Sequence, residues 1–225
     1  MKYLRKFATE AEYNAFTASE YEAPNVSLLA DNDTVKYNLP LGVFIQHIDG
    51  TLYTKDEWVA NGFANDLANG VAVRTKKIAV VVAKAFLSGS YAWEPQTEAV
   101  EGCGTGYSDY NGLANTEAII KVATSGAAYA ASQYVFPNGA KGYLPAMGEL
   151  SVVYKDNYAE VESALMAIGG ASLNPGDYYT DNDVWSSSQY NATMAYYYYN
   201  YKGGNFQGRT VQKSETEMVR PFTTL

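Results

Sequence analysis

Histidine, cysteine and clustered positive charge are nearly missing from this chain, and each scarcity removes a class of function. His47 is the single histidine and Cys103 the single cysteine among 225 residues. One histidine leaves few schemes for acid–base catalysis, and one cysteine excludes a disulfide framework or a multi-cysteine zinc site within the chain. We therefore predict that the protein is not an enzyme, with no catalytic residues, no cofactor and no metal site.

Positive charge and long apolar runs are also scarce. The net charge is −8 and no cluster of lysine and arginine interrupts it, so a nucleic acid is not an expected partner. The longest apolar stretch, residues 78–86, contains Lys84 and is too short to cross a bilayer, so we expect no membrane insertion. Basic residues open the chain without an apolar segment after them, which predicts that there is no signal peptide.

The composition is that of a folded protein, with 47% hydrophobic and 18% charged residues. Residues 1–40 form a distinct predicted module: Thr9 and Glu12 fit a helix capping box, and the turn-forming residues 31–33 lie between two short strand-like runs. Pro40 ends this module. The predicted domains are thus residues 1–40 and residues 41–225.

Short buried strands are predicted at residues 42–45 and 78–82 because these runs are β-branched and apolar. Helix-forming residues fill 115–134 with a break near Gly126. They recur at 146–154, with Pro145 as the first helical residue, and at 158–168 before Gly169. After Pro175 strands and turns dominate, so the predicted fold class is α+β.

Tyrosine is the residue that this chain has in excess. Eight of the 21 tyrosines lie between Tyr178 and Tyr201, and residues 196–201 and 205–210 flank a Gly-Gly turn, which predicts a hairpin. The run 196–199 puts tyrosine on both faces of its strand, either as half-buried sheet residues or as a recognition surface. If Tyr196 faces the core, then Tyr197, Tyr199 and Tyr201 face solvent, and exposed aromatic patches mark binding sites.

Other candidate groups carry simpler interpretations. His47 lies in a strand-like run and is expected to be structural, and Cys103 is expected to be a small loop residue. Asp177, Asp181 and Asp183 are close enough in sequence to hold calcium, but without an EF-hand pattern the expectation is three solvated carboxylates.

Three segments resemble a known fold. Residues 142–150 resemble the "LP…EL" element of the C-type-lectin-like fold shared with formylglycine-generating enzymes, and residues 184–190 and 219–222 resemble its C-terminal signatures. Their order and spacing are most similar to the variable proteins of diversity-generating retroelements. Residues 2–40, with Leu4-Arg5-Lys6-Phe7 and Pro24-Asn25-Val26-Ser27-Leu28, resemble a module that opens structural proteins of gut-bacterial phages and prophages, which implies that this module attaches the chain to a virion.

The resemblance implies adenine-specific rewriting of codons within a variable region of about 178–222, on a scaffold that includes Trp185 and Arg220. The rewritten side chains would project from one solvent-facing surface and contact the ligand. The implied contacts are Asp181, Asp183, Tyr190, Tyr197, Tyr199, Tyr201, Lys202, Gln207, Arg209, Thr210, Gln212, Ser214, Glu215 and Glu217.

The resemblance also orders the hypotheses about function. The first is a receptor-binding or accessory phage tail protein that binds a bacterial surface protein or glycan, localised to the virion through residues 1–40 and other virion structural proteins. A homotrimer would suit such an appendage. The second is a bacterial surface adhesion protein. The third, a formylglycine-generating-type oxidase, lacks its cysteine pair, and the Glu-Pro-Asn and Gln-Pro-Asp sugar motifs of true C-type lectins are missing too.

Overall fold

The computed structural model describes residues 41–174, 183–201 and 205–225, without the side chains of residues 200, 201, 205 and 206. Helices pack with antiparallel sheets, so the predicted α+β class is confirmed. The helix, the hairpin and the domain boundary predicted within residues 1–40 lie outside the described residues.

A five-stranded sheet, here called the central sheet, consists of Gly42–His47 (β1), Leu52–Tyr53 (β2), Ala68–Arg74 (β3), Ala79–Val82 (β4) and Phe222–Thr224 (β10). The strand order is β10-β4-β3-β1-β2, with every neighbouring pair antiparallel. β1 and β4 confirm the strands predicted at residues 42–45 and 78–82.

A second sheet, the C-terminal sheet, consists of Val184–Gln189 (β6), Met194–Tyr201 (β7) and Asn205–Gln212 (β8), in the order β6-β7-β8. It contains half of the predicted ligand contacts. The register runs from Met194 opposite Gln212 to Tyr201 opposite Asn205, which confirms the predicted hairpin. A two-stranded sheet joins Tyr91–Ala92 (β5) to Thr216–Glu217 (β9).

The helices follow the predicted pattern with two differences. They are Lys55–Asn61 (α1), Gly112–Ile120 (α2), Gly126–Gln133 (α3), Met147–Ser151 (α4) and Tyr158–Ala167 (α5). Gly126 separates α2 from α3, and Gly169 follows α5 at a φ of 65°, the left-handed conformation that glycine adopts easily.

The first difference is α4, which is shorter than the helix predicted over 146–154 and continues as the π-helical turn Val152–Asp156. Pro145 is not its first residue, because Ala146 is the N-cap. The second difference is α1, which the sequence analysis missed although Thr54 and Glu57 form a capping box. Here the Glu57 amide donates to Thr54 Oγ1 at 3.2 Å, and the Thr54 amide donates to Glu57 Oε2 at 3.0 Å.

Buried side chains cover both faces of each of the two larger sheets. One face of the central sheet packs on α4 and α5 through residues such as Val71 and Leu165, and the other packs around Phe44 and Phe136. The C-terminal sheet lies between the first of these clusters and another built around Trp93. No helix in the described ranges is long and apolar enough to cross a membrane.

Candidate ligand-binding surface

Trp185 anchors the C-terminal sheet from inside. Its side chain is fully buried, and its indole nitrogen donates a 2.6 Å hydrogen bond to the carbonyl of Tyr91. The ring meets that of Tyr197 edge-on, with centroids 6.3 Å apart. A large ring with its polar atom satisfied suits the scaffold role implied by the resemblance.

The serines that follow Trp185 fasten the sheet by buried hydrogen bonds. Ser186 Oγ donates to the carbonyl of Tyr196 at 2.7 Å, and Ser188 Oγ donates to Asp109 Oδ2 at 2.7 Å. Asn115 Nδ2 donates to the same carboxylate oxygen at 2.7 Å. These hydrogen bonds satisfy buried polar atoms that would destabilise the fold if they were left without partners. The backbone of β6 is therefore positioned by buried side chains.

Two fully buried cations fasten the chain after β8. Arg220 Nη2 donates to the carbonyl of Ala171 at 2.8 Å, and its guanidinium lies 4.1 Å from the ring centroid of Phe86. Lys213 Nζ donates to the carbonyl of Glu98 at 2.8 Å and lies 4.2 Å from the ring centroid of Trp93. Arg220 was predicted from the sequence but Lys213 was not, because a lysine in a polar stretch gives no signal of burial.

Glu149 lies beneath the C-terminal sheet with both carboxylate oxygens in use. Tyr143 Oη donates to Oε1 at 3.0 Å, and the Ala146 amide donates to Oε2 at 2.8 Å. Burial, assisted by the charge of Asp109, raises the pKa of Glu149 to about 7 against the lowering effect of the hydrogen bonds. Glu149 therefore changes charge near neutral pH while it holds the start of α4.

Cys103 lies in a loop, as predicted, with its thiol 3.1 Å from the carbonyl oxygen of Ser187. Burial raises the pKa of this thiol to about 12, so it stays protonated at neutral pH. His47 packs against the rings of Tyr53, Trp58 and Phe63 at centroid distances of 6.4, 6.2 and 5.6 Å. Both side chains take part in packing.

Tyr196 faces the core, but the expected exposure of Tyr197 on the opposite face of the strand is wrong. Tyr196, Tyr197 and Tyr198 are 7%, 9% and 1% exposed, and Tyr199 is half-buried. The expectation assumed that one face of the strand is open, whereas both faces of the C-terminal sheet are covered. Tyr196 and Tyr198 pack in the cluster with α4 and α5, and Tyr197 packs in the cluster with Trp93.

The predicted contacts differ in exposure. Those that are exposed are Tyr190, Gln207, Arg209, Gln212, Ser214 and Glu215, and those that are half-buried are Tyr199, Thr210 and Glu217. Asp183 and Tyr197 are buried at 6% and 9% exposure, which corrects the expectation that they lie on the surface. Asp181, Lys202 and the side chain of Tyr201 lie outside the described residues.

The exposed contacts do not project from one surface, which is a second correction. Tyr197 is opposite Arg209 and Tyr199 is opposite Gln207, so this set shares one face of the hairpin. Thr210 is opposite Tyr196 and Gln212 is opposite Met194, on the other face. On the first face the Arg209 guanidinium lies 4.1 Å from the ring centroid of Tyr199, a cation–π contact.

On the second face, three tyrosines form a cluster here called the aromatic platform: Tyr107, Tyr190 and Tyr196. The ring of Tyr196 meets those of Tyr107 and Tyr190 edge-on, at centroid distances of 5.1 and 5.7 Å. The outer two are 55% and 53% exposed. The sequence analysis missed Tyr107, although tyrosine and serine in a glycine-rich loop are typical of binding loops.

The predicted calcium alternative rests on three aspartates, of which Asp177 and Asp181 lie outside the described residues and Asp183 is buried. Within the described part of the chain, no three histidine, cysteine, aspartate or glutamate side chains are grouped to hold a metal.

Comparison with known proteins identifies a related fold. No protein-family model and no curated protein sequence matches the chain. Among solved structures, a fimbrial protein from Bacteroides ovatus superimposes with a TM-score of 0.56 at 17% sequence identity. The match covers 83% of this chain and 49% of the fimbrial protein, so the chain spans about half the length of that structure. At this identity the similarity concerns the fold alone.

Proposed function

We propose that this protein is a non-enzymatic ligand-binding protein displayed outside the cell, and that it recognises its ligand through exposed side chains on the two faces of the β7–β8 hairpin and in the turn before β7. One observation carries the proposal: the sheet is held by buried residues, including Trp185, Ser188, Lys213 and Arg220, that are separate from the exposed side chains around them. The exposed positions are therefore free to change without loss of the fold.

The exposed side chains are of the types that recognise ligands. Tyr190, Gln207, Arg209 and Gln212 supply an aromatic ring, amides and a guanidinium, and all four are exposed. Tyrosine and arginine are enriched at binding hot spots because they combine a large contact area with hydrogen bonding. Side chains that project from a rigid sheet lose little conformational entropy on binding, and this favours affinity.

A matched pair of variants tests this surface. Tyr190, Arg209 and Gln212 are replaced together by serine, and the control replaces Tyr129, Lys121 and Gln133, which are exposed on or next to α2 and α3. Binding of the full chain to intact cells of a panel of gut bacteria is measured by flow cytometry. We expect the first variant to lose binding at least tenfold and the control to keep it. Equal binding by both variants would place the surface elsewhere.

The finer proposal is that a diversity-generating retroelement varies this surface. It rests on the motif resemblance, and the separation of a buried frame from exposed positions is what such variation needs. The test is to sequence the genome around the gene. We expect a reverse-transcriptase gene and a near-copy of the coding region for residues 178–222 that differs at adenines. A neighbourhood without that repeat would contradict the diversification proposal and leave ligand binding untouched.

Two carriers are compatible with display outside the cell. The motif resemblance favours a phage tail, with residues 1–40 as the attachment module, and the fold shared with a fimbrial protein favours a bacterial surface adhesion protein. Immunogold electron microscopy of purified phage particles and of host cells distinguishes them. Label on tails supports the phage protein, and label on cell envelopes without phage supports the adhesion protein.

A further inference from the structure

We propose that the aromatic platform binds a neutral glycan and that Tyr107, outside the segment 178–222, is one of its contact residues. The proposal rests on the proposed function and deepens it by naming the ligand class. Two highly exposed tyrosines, Tyr107 and Tyr190, flank the largely covered ring of Tyr196. Tyrosines left open in this way on a well-packed sheet are available to a ligand.

Tyr107 is held against the C-terminal sheet by contacts with β8 as well as with Tyr196. Its hydroxyl donates to the carbonyl of Gly208 at 3.3 Å. A Cβ atom added at Gly208 would lie 2.6 Å from Tyr107 Cε1 and 2.5 Å from Met147 Cε, so only glycine leaves room for the ring. The ring of Tyr107 therefore packs directly over the backbone of Gly208.

The loop that carries Tyr107 is fixed from below. Asp109, two residues further on, is 6% exposed and accepts hydrogen bonds from Ser188 and Asn115. Its carbonyl accepts a 2.7 Å bond from the amide of Gly148. The ring of Tyr107 is therefore positioned before a ligand arrives, and this preorganisation lowers the entropic cost of binding.

Tyr190 is positioned by a hydrogen-bonded turn. Its amide donates to the carbonyl of Met194 at 3.0 Å, and Asn191 Oδ1 accepts bonds from the amides of Thr193 and Met194 at 2.9 and 2.8 Å. Both outer tyrosines of the platform thus project from fixed turns.

The surroundings favour an uncharged ligand with hydroxyl groups. Thr210 and Gln212 of β8 lie opposite Tyr196 and Met194 on this face, and together with the three tyrosines they supply hydroxyls and an amide without formal charge. A cationic site would be needed for a phosphate or a sulfated sugar. The apolar C–H face of a pyranose ring stacks on a tyrosine ring, while its hydroxyls bond to such neutral groups.

The size of the platform favours a glycan over a protein. The outer rings lie 5.1 and 5.7 Å from the central ring, a span that suits a short oligosaccharide. A standard protein interface uses roughly 20–30 residues on each side, far more than the platform offers. Small-molecule sites are usually concave, whereas two exposed rings beside a sheet leave an open surface suited to an extended sugar chain.

The test uses an array of neutral, sialylated and sulfated oligosaccharides as the probe for the full chain, with titration of the strongest neutral glycan by calorimetry. We expect Tyr107→Ala and Tyr190→Ala each to weaken that affinity at least tenfold. Tyr107→Phe keeps the ring and should bind within about threefold of the wild type. The control Tyr129→Ala removes an exposed tyrosine on α3 and should not change affinity. Circular dichroism confirms that each variant is folded.

Other outcomes overturn the inference. Binding of no neutral glycan, or of sialylated and sulfated glycans alone, would contradict the ligand class. Unchanged affinity of Tyr107→Ala would remove Tyr107 from the site. Bacterial cells supply the separate readout for the proposed function: if they still bind the chain after periodate oxidation of their sugars but not after protease treatment, ligand binding stands and the ligand is a protein.

Discussion

The central sheet and the C-terminal sheet are both covered on two faces, but they are stabilised by different chemistry. In the central sheet, β3 and β4 bury mainly alanine and valine side chains, so apolar packing predominates beside the buried bond from Asn69 Nδ2 to Gln46 Oε1 at 2.6 Å. The C-terminal sheet buries Trp185, three serines and tyrosines, with Asp109 and Asn115 bonded beneath it. Directional hydrogen bonds specify one backbone position, whereas apolar packing tolerates many similar side chains.

This difference explains how a binding surface is built from an ordinary sheet. Buried polar bonds hold β6 from within, so Tyr190, Gln207 and Gln212 are not needed for its position. The central sheet has no equivalent division, because almost every side chain of β3 and β4 is buried. Variation at exposed positions is therefore tolerated in one sheet and has little room in the other.

Trp185 is the residue of the C-terminal sheet whose replacement should cost the most stability. We expect Trp185→Ala to lower the free energy of unfolding by about 3–5 kcal/mol, since it leaves a large cavity and removes the bond to Tyr91. Urea denaturation measures the change. Trp185→Phe is the control, because it keeps most of the packing and loses only the polar contact. An unaltered free energy of unfolding for Trp185→Ala would show that this residue does not hold the C-terminal sheet.

A buried and an exposed tyrosine of the same segment give the next largest contrast. Tyr197→Ser should cost about 2–4 kcal/mol, because Tyr197 is 9% exposed and packs against Trp185. Tyr190→Ser should cost about 1 kcal/mol or less, since it removes a single edge-on contact with Tyr196. Thermal unfolding of both variants checks this. Equal losses would contradict the division between frame and surface.

Because Glu149 is buried, we expect the free energy of unfolding to depend on pH. Its pKa is about 7 in the folded protein against 4.5 for an ordinary carboxyl, so between these values the folded state holds the proton more tightly. This contribution to stability is full below about pH 4.5 and is lost as the pH rises to 7, by up to about 3 kcal/mol. Denaturation from pH 5 to 8 should show the fall in wild type and a flatter profile in Glu149→Gln. Parallel profiles would exclude Glu149 as the cause.

The smallest expected effect concerns the exposed positions. Serine at Gln207, Gln212 or Glu215, which are exposed, should each change the free energy of unfolding by no more than about 0.5 kcal/mol. Chemical denaturation of the three single variants measures this. The matched substitution Val81→Ser in the central sheet, which is fully buried, should be several times more costly. A large loss at any of the exposed positions would mean that it belongs to the frame.

Local patterns predicted the elements of the fold better than the burial of individual residues. The β-branched runs at 42–45 and 78–82, the glycines at 126 and 169 and the hairpin at 196–210 all have counterparts in the structure. These features depend on neighbouring residues, so a single sequence contains them. α1 was not predicted, although Thr54 and Glu57 form a capping box, because the helix that follows has only 7 residues.

The candidate site was predicted in part, and its errors have one physical origin. Alternation along a strand predicts which side chains share a face, and the register of β7 with β8 follows it. It does not predict whether that face is open. Tyr197 is buried because Trp93 and its neighbours pack there, and Tyr107 reaches Tyr196 from a loop far away in sequence.

By itself, the sequence determined the α+β class, the position of the tyrosine-rich hairpin and the scarcity of groups for catalysis, because composition and short-range pattern decide these properties. Only the tertiary structure decided which tyrosines are covered, that Lys213 and Asp109 lie inside, and that Tyr107 joins Tyr190 beside the sheet. The physical reason is that burial results from contacts between segments distant in sequence, and those contacts exist only once the sheets and helices have packed.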